Sequence, residues 1–237
     1  MIIIPARLAS TRFPRKVLHE IEGYPMVILT ALRAKEVDDV IIATDDEEVL
    51  KTAKRHGFEA VLTSKEHASG TDRVNEAAAL LGLQAEEIIV NVQADEPFIE
   101  PEVIESVKEL TQKHAHDPSI MLNTAYKELD HQEAADPNKV KVVTTKSGFA
   151  LYFSRSPIPY DRESLHPTYK LHLGIYGYTK KMLERFCHLE SAPLEAIEKL
   201  EQLRALYHGY KIALTQVQSR SFGIDTPEDL RNINILQ

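Results

Sequence analysis

Residues 1–16 read MIIIPARLASTRFPRK, an apolar run followed by a cluster of cations, with no acid before Glu20. Three successive isoleucines favour a buried β-strand. In open α/β sheets, ligands bind beyond the carboxyl ends of the strands, which is where this loop begins. Its backbone N–H groups and its cations are suited to hold a polyphosphate; the cations are Arg7, Arg12, Arg15 and Lys16. The loop matches neither the P-loop pattern nor a GxGxxG dinucleotide loop, and a solvated basic loop is the alternative.

The first half of the chain alternates apolar, β-branched runs with helical patterns. After the opening strand, the pattern predicts helices and strands in turn over PMVILTALRAKEV, DDVIIATD, DEEVLKTAKRHG, EAVLT, SGTDRVNEAAALLG, EEIIVNVQADEP and PEVIESVKELTQKH. Such alternation with short connections indicates βαβ units and a parallel sheet. Runs such as VIIA and IIV are apolar at every position, as in a sheet that helices cover on both faces. The sequence therefore predicts an α/β fold with a mainly parallel central sheet.

The pattern changes near residue 120. Strand-like segments follow one another with little helix between them, namely SIMLNTAYKEL, KVKVVTT, GFALYFSR and LHLGIYGYT. We interpret residues 120–180 as an antiparallel sheet insertion. Helices return at KKMLERFCHL and PLEAIEKLEQLRALYHG, followed by a strand KIALTQV and a last helix that starts at DTPEDLRNI. The segment RSPIPYDRESLHPTYK is the most linker-like, but 237 residues suit one large domain, so we predict a single domain over residues 1–237.

The composition excludes several classes of protein. Hydrophobic residues make up 43% of the chain, enough for a full core. The net charge of −8 argues against a protein that binds nucleic acid or anionic membranes in general. No apolar run reaches the roughly 18–20 residues that a membrane span needs. Cys187 is the one cysteine and cannot form an internal disulfide. We expect a buried structural thiol in a reducing compartment, and a soluble cytoplasmic protein.

Carboxylates follow two predicted elements. Asp95 and Glu96 come after a buried strand, and Asp225 stands just before a helix. Mg²⁺ takes oxygen ligands, usually including one or two protein carboxylates, and Asp95 and Asp225 are candidates to hold it together. The residues alone leave alternatives, because Asp225 also suits a helix N-cap and Asp95 a solvated strand end. Asp45 and Asp46 also follow a strand, and we interpret them as helix starters rather than ligands.

A series of motifs along nearly the whole chain resembles the 3-deoxy-manno-octulosonate cytidylyltransferase (CMP-Kdo synthetase) family. The opening loop is similar to the PAR-x-x-S-[ST]-R-[LF]-P-G-K loop of sugar-activating nucleotidyltransferases. The other motifs follow in order as ATDDEEV, SGTDR, VNVQADEP, NKVKVV, ALYFSRSPIPYDR, HLGIYGY, APLEAIEKLEQLR and GIDTPEDL. HLGIYGY and EKLEQLR are the most specific of them. The resemblance implies a Rossmann-like nucleotidyltransferase fold.

The resemblance also assigns site residues. It implies that the nucleotide is bound by Arg7, Ala9, Ser10, Arg12, Lys16, Ser69 and Gly70. It implies that the sugar is bound by Arg73, Gln93, Arg155, His172, Tyr176, Glu201 and Gln202. Lys16, Asp95 and Asp225 are the implied catalytic residues, and the two aspartates the implied Mg²⁺ ligands.

Several of these residues also have a purely structural interpretation. Glu201 is placed to pair with Arg204 at i+3 on a helix surface. Arg73 is equally compatible with a solvent-facing helix position. His172 suits a core histidine, and Tyr176 alternates with apolar neighbours on a strand, so packing alone would account for it. Only the order of the motifs along the chain favours a binding role for these residues over a structural one.

The implied reaction is transfer of CMP from CTP to the anomeric hydroxyl of 3-deoxy-D-manno-octulosonate (Kdo), with release of pyrophosphate and supply of CMP-Kdo for lipopolysaccharide assembly. The resemblance further suggests a homodimer formed through the LHLGIYGYT strand and its sheet. A cytidylyltransferase for another acidic sugar and a CTP-binding regulatory module without turnover are the rival functions. Two positions depart from the family pattern, since Arg15 and Ala94 stand where glycine is usual.

Overall fold

Eleven strands and seven α-helices lie in residues 1–9 and 13–230, which are the residues that this computed structural model describes. The strands are β1 (Ile2–Ala6), β2 (Glu20–Ile21), β3 (Tyr24–Pro25), β4 (Val40–Thr44), β5 (Glu59–Leu62), β6 (Ile88–Asn91), β7 (Ile120–Leu129), β8 (Lys141–Thr144), β9 (Ala150–Ser154), β10 (Tyr169–Thr179) and β11 (Lys211–Gln216). The α-helices are α1 (Met26–Lys35), α2 (Glu47–Arg55), α3 (Gly70–Leu80), α4 (Pro101–His114), α5 (Lys180–His188), α6 (Pro193–Glu198) and α7 (Leu203–Tyr207). Short 3₁₀ helices span Lys16–Leu18 and His131–Glu133.

A nine-stranded sheet organises the chain in the order β11-β7-β10-β6-β1-β4-β5, with β8 and β9 attached beside β10. The strands β6, β1, β4 and β5 are parallel to one another. β10 runs antiparallel to both β6 and β7, and β8 and β9 form an antiparallel pair. The predicted α/β class, with a mainly parallel sheet and an antiparallel insertion, is confirmed.

The opening strand explains why both faces of the sheet are apolar. Ile2 and Ile4 pack with α1 and α4 on one face, whereas Ile3 packs with α3 and α5 on the other. All three isoleucines are fully buried. Because successive side chains of a strand point to opposite faces, a strand between two helical layers has to be apolar throughout. The first residues of the chain therefore form the middle of a three-layer α/β/α arrangement.

The segment PLEAIEKLEQLRALYHG is the main difference from the predicted elements. It was expected to be one helix, but α6 ends at Glu198, Lys199 follows with a left-handed backbone at φ 54°, and α7 begins only at Leu203. The turn between them carries Glu201 and Gln202 inward. The predicted last helix starts at residue 225, but residues 225–230 form no α-helix, and the rest of that segment lies outside the described residues. RSPIPYDRESLHPTYK forms the connection between β9 and β10 of the same sheet.

The LHLGIYGYT strand is an interior strand of the sheet. β10 is hydrogen-bonded to β7 on one side and to β6 and β8 on the other. Close packing against α4 requires a glycine here, since a Cβ at Gly177 would lie 1.9 Å from the Thr111 hydroxyl oxygen. The backbone edges of β10 are therefore used within the chain.

Candidate active site

Three strands bring their carboxyl ends to one edge of the sheet. Ala6 at the end of β1 is paired with Thr44 at the end of β4, and β6 ends beside β1 at Asn91. The residues that follow are Arg7, Asp45 and the segment 93–95. The topology therefore gathers the opening loop and the VQAD stretch at one place.

Lys16 connects the two carboxylates that were predicted to hold a metal. Its Nζ donates to Asp95 at 2.6 Å and to Asp225 at 3.0 Å. The lysine side chain is only 11% exposed. Burial opposes its charge, but the carboxylates of Asp95 and Asp225 raise the pKa of Lys16 above its ordinary value. The carboxylates of Asp95 and Asp225, which lie 79 and 209 positions from Lys16 in the sequence, thus converge on its ammonium group.

The loop that carries Asp225 is held from both sides. Lys127 on β7 donates to the backbone oxygens of Ser219 and Ser221 at 3.1 and 3.0 Å. Glu100 accepts from the Ser219 hydroxyl and from the backbone N–H of Arg220. The backbone N–H groups of Asp225 and the next residue donate to Asp229. The Asp225 carboxylate is thereby fixed in the site.

Glu96 lies beside these groups. Burial, and then the charge of Asp95, raises the pKa of Glu96 to about 8. Lys127 opposes this shift only in part. The Glu96 carboxyl therefore favours its protonated form near neutral pH.

A small cavity of about 270 Å³ opens beside Lys16. Its lining comprises Pro5, Arg7, Lys16, Val17, His67, Ala68, Ser69, Gly70, Arg73, Gln93, Ala94, Asp95 and Asp225. We call it the nucleotide-side cavity, because the described candidate residues for the nucleotide, except Ala9, lie here. Ala9 is exposed and does not line it, and Ser10 and Arg12 lie outside the described residues.

The N-terminus of α3 forms one wall of this cavity. Ser69 caps the helix and accepts from the backbone N–H of Asp72, while the Asp72 carboxylate accepts from the Ser69 N–H. A Cβ at Gly70 would lie 3.2 Å from Cγ of Pro5, so the glycine allows α3 to approach β1 closely. The positive end of a helix dipole favours anions, so this wall is suited to contact phosphate groups.

Arg73 lies on the nucleotide side, although the resemblance assigns it to the sugar. It is 3% exposed and donates to Asp45 at 2.9 Å and to the Thr63 hydroxyl at 2.6 Å. Asp45 directly precedes the cap of α2, and its carboxylate pairs with Arg73, a contact that the sequence analysis did not predict. Asp46 does cap α2, accepting from the backbone N–H of Glu48.

A larger cavity of about 1050 Å³ adjoins the first and shares Gln93 and Asp225 with it. His172, Tyr176, Glu201 and Gln202 line it, so we call it the sugar-side cavity. Its other polar lining includes Glu96, Lys127, Glu133, Asp136, Asn138, Lys139, Lys199 and Arg220. Most of the candidate sugar residues therefore face one space that reaches Asp225.

His172 is a neutral group in this cavity. Burial lowers its pKa to about 3. Its Nε2 lies 3.0 Å from the Thr124 hydroxyl, and its ring meets Phe153 edge-on at a centroid distance of 4.8 Å. Gln202 is 2% exposed and lies within hydrogen-bond distance of both His172 and the Tyr176 hydroxyl. These side chains form a buried, uncharged polar cluster.

Glu201 does not form the surface pair considered for it. Arg204 instead pairs with Glu195 at 2.6 Å. Glu201 accepts from the hydroxyl of Thr71 on α3, and burial raises the pKa of its carboxyl. Through this contact the turn after α6 joins the helix that forms the wall of the other cavity.

Arg155 lines neither cavity. Its guanidinium donates to the backbone oxygens of Glu198 at 2.7 Å and Pro137 at 2.8 Å. It therefore supports the turn that precedes Glu201. Its role toward the sugar stays a prediction.

The sequence analysis missed several cavity residues, among them His67 and Lys127. His67 lines the nucleotide-side cavity and pairs with Glu76, and its place two residues before the Ser69 cap was a signal. Lys127 had no local signal, because it is one lysine in a strand pattern.

Cys187 is half-buried, and burial raises the pKa of its thiol, which agrees with a structural role.

The two departures from the family pattern have different surroundings. Arg15 adopts a left-handed backbone at φ 57° and pairs with Glu48 at 2.6 Å, with both side chains more than half exposed. Arg15 lies outside the lining of both cavities. Ala94 is buried, lines the nucleotide-side cavity and accepts at its backbone oxygen from Thr30.

Comparisons with known proteins give one family along nearly the whole chain. The family model described as cytidylyltransferase matches residues 1–212. A 3-deoxy-manno-octulosonate cytidylyltransferase from a Nitratiruptor species is 68% identical over 99% of this chain and 98% of its own. The enzyme of the same name from Helicobacter pylori is 50% identical, covering 98% and 95%.

Solved structures agree with the sequence relatives. A CMP:2-keto-3-deoxy-manno-octonic acid synthetase complexed with CTP superposes with a TM-score of 0.89 at 39% identity, covering 99% of this chain and 96% of that one. A putative glucose-1-phosphate thymidylyltransferase from Bacillus anthracis has a TM-score of 0.65 at 16% identity, which shows a shared nucleotidyltransferase fold. The chain belongs to the cytidylyltransferase family, among the 3-deoxy-manno-octulosonate cytidylyltransferases.

Proposed function

We propose that this protein is the cytidylyltransferase that transfers CMP from CTP to the anomeric hydroxyl of Kdo, giving CMP-Kdo and pyrophosphate for lipopolysaccharide biosynthesis. One observation carries the proposal. Lys16, Asp95 and Asp225 converge where the nucleotide-side cavity meets the larger sugar-side cavity. The names of close relatives and the CTP in a structural neighbour support the choice of substrates.

Each cavity has a role in this proposal. Arg7, Lys16 and the N-terminus of α3 bind the triphosphate and offset the charge that grows on the leaving pyrophosphate. The sugar-side cavity orients Kdo through the neutral cluster of His172, Tyr176 and Gln202. The sugar hydroxyl then attacks the α-phosphorus in line from the shared boundary, so positioning supplies much of the catalysis. No covalent intermediate on the protein is needed.

The two aspartates fit a Mg²⁺ ion. Both accept from one Lys16 ammonium, so their oxygens are within reach of a single small cation. We propose Asp95 and Asp225 as the ligands, which agrees with the preference of Mg²⁺ for oxygen. When bound, the ion supplies charge neutralisation and lowers the pKa of the attacking hydroxyl.

We further propose a cytoplasmic homodimer. In the described residues, no helix is both long and apolar enough to cross a bilayer. Large apolar side chains are exposed on β9, on the connection to β10 and on α6; they are Leu151, Tyr160, Leu165 and Ile197. Exposed apolar surface of this kind suits a symmetric interface. Sedimentation of the wild type and of Leu151→Asp tests this, since a dimer that the variant leaves intact excludes β9 from the interface.

Pyrophosphate release tests the reaction. CTP, ATP, GTP and UTP are each combined with Mg²⁺ and with either Kdo or a sialic acid. We expect release only with CTP and Kdo. Pyrophosphate release with CTP and a different acidic sugar would support the assignment of the nucleotide site and contradict Kdo as the sugar substrate. CTP binding without release from any pair would favour the regulatory module.

A further inference from the structure

A cluster of two histidines and one aspartate lies outside both cavities. It joins the 3₁₀ turn that follows β7 to the connection between β9 and β10. One ligand atom from each of His131, Asp161 and His166 lies within 4.8 Å of the others. None of the three residues lines either cavity. The reaction proposed above makes no use of them.

The two imidazoles face each other at bonding distance. Nδ1 of His166 lies 2.9 Å from Nε2 of His131, and the ring centroids are 4.3 Å apart. Two nitrogen ligands of a tetrahedral zinc ion, each about 2.0–2.1 Å from the metal, are roughly 3.3 Å apart. A small opening of the pair would therefore admit an ion between the rings.

Asp161 holds the loop in the shape that presents His166. Its carboxylate accepts from the backbone N–H groups of Leu165 and His166, both at 3.0 Å. Ser164 and His166 adopt left-handed backbone conformations, at φ 54° and 51°. Such conformations cost non-glycine residues of order 1–3 kcal/mol each. The loop is therefore bent at a local cost into a form that turns this imidazole toward His131.

We propose that His131, Asp161 and His166 form a binding site for a divalent transition-metal ion of the zinc type, and that the ion fastens the β9–β10 connection to the end of β7. Two imidazoles and one carboxylate are ligands that such ions prefer, whereas Mg²⁺ favours a shell of oxygens. Water completes the coordination at this partly exposed position. The site is separate from the aspartate pair and rests on a different donor set.

Zinc titration of the untagged full chain tests the site. Free Zn²⁺ is buffered by a chromophoric chelator, and bound zinc per chain is measured. We expect one ion per chain in the wild type and at least about 100-fold weaker binding in His131→Asn and in His166→Asn. His116→Asn, at an exposed histidine outside the cluster, is the matched control and should bind like the wild type. Equal zinc affinity in all four proteins would overturn the proposal.

Hydrogen exchange tests the bridging role separately from affinity. In the wild type, Zn²⁺ should slow exchange in the peptide over residues 160–168. In His131→Asn it should not, although the substitution lies on another element. Zinc that binds without protecting this peptide in the wild type would show that the ion does not fasten the loop. Circular dichroism of each variant verifies that the fold is retained.

Discussion

The two cavities of the site are built from different kinds of groups. The nucleotide-side cavity is lined by charges that pair with other charges, as Lys16 does with the two aspartates and Arg73 with Asp45. The most buried polar groups of the sugar-side cavity are uncharged, since His172 is neutral and contacts Gln202. Paired charges can be redistributed when a polyanion arrives, whereas fixed neutral donors and acceptors select by shape and hydrogen bonding. The first cavity is suited to chemistry and the second to selection.

The largest effect is expected from the charged side. Asp95→Asn keeps the shape of the side chain but removes the charge that Lys16 and a cation share. Turnover should fall by about 10³-fold or more, with little change in the free energy of unfolding. Steady-state pyrophosphate release at saturating Mg²⁺ measures this, with Asp39→Asn on the surface as control. Turnover near that of the wild type would remove Asp95 from the catalytic centre.

Next comes the strand that carries the sugar-side cluster. In Gly177→Ala the added Cβ meets the Thr111 hydroxyl oxygen at 1.9 Å, so β10 or α4 has to move. We expect a loss of about 3 kcal/mol in the free energy of unfolding, measured by urea denaturation. Gly174→Ala on the same strand is the control, because its added Cβ meets no atom within 4 Å. Equal losses in both variants would contradict the close packing.

The neutral state of His172 predicts a pH dependence of stability. Its folded pKa of about 3 lies below the ordinary 6.5, so the unfolded chain binds a proton that the folded protein excludes. Stability from this group is therefore complete above pH 6.5 and is lost as the pH falls toward 3. Between pH 6.5 and 5 the loss should approach about 2 kcal/mol.

His172→Gln lacks this titration and is the comparison for the wild type. Urea denaturation at pH 7, 6 and 5 should give a shallower loss of stability in the variant. Parallel curves for the two proteins would show that His172 is protonated in the folded state or is not buried. Both proteins are compared without substrates, since ligands bound to the folded state would shift the curves.

A smaller effect is expected on the KM for one substrate only, which separates the roles of the two cavities. Gln202→Met removes an amide that reaches His172 and Tyr176. The KM for Kdo should rise about tenfold, as expected for loss of one buried hydrogen bond. The KM for CTP should stay within twofold. A rise in the KM for CTP alone would reverse the assignment of the larger cavity.

Arg73→Lys provides the matched change on the other side. A lysine cannot reproduce the forked contacts to Asp45 and Thr63. From its position in the nucleotide-side cavity, we expect the KM for CTP to rise more than that for Kdo. The opposite order would return Arg73 to the sugar, as the family resemblance implies.

The smallest effect is expected at Arg15. Arg15→Gly relieves a left-handed backbone at φ 57° but loses an exposed ion pair with Glu48 and adds freedom to the unfolded chain. These contributions oppose one another, so stability should change by less than about 1 kcal/mol, and turnover by less than twofold. A larger fall in turnover would place Arg15 among the phosphate ligands. Glu48→Gln, which removes only the pair, is the control.

The sequence predicted the elements better than the contacts between them. Ile2, Ile3 and Ile4 specify a strand that is buried on both faces, and a local apolar pattern is sufficient to recognise it. The turn at Lys199 was missed, because the surrounding residues are good helix formers and tertiary contacts of Glu201 and Gln202 decide the conformation. Tertiary context routinely overrides helix propensity.

Long-range pairing explains the other differences in the site. Arg73 and Asp45 are 28 residues apart, and no local pattern indicates that they pair. Arg155 was assigned by motif order, but its guanidinium contacts the backbone oxygens of Glu198 at the end of α6 and of Pro137. By contrast, Asp95 and Asp225 were expected to meet above the sheet edge, in the role that the family resemblance assigns them, and the Lys16 ammonium contacts both.

A crystal structure with CTP and Mn²⁺ tests the central claim most directly, because anomalous scattering locates the manganese. We expect manganese at Asp95 and Asp225, the triphosphate against Arg7, Lys16 and the N-terminus of α3, and an open sugar-side cavity. Manganese that contacts neither aspartate, or CTP bound in the larger cavity, would contradict the division of the site described here.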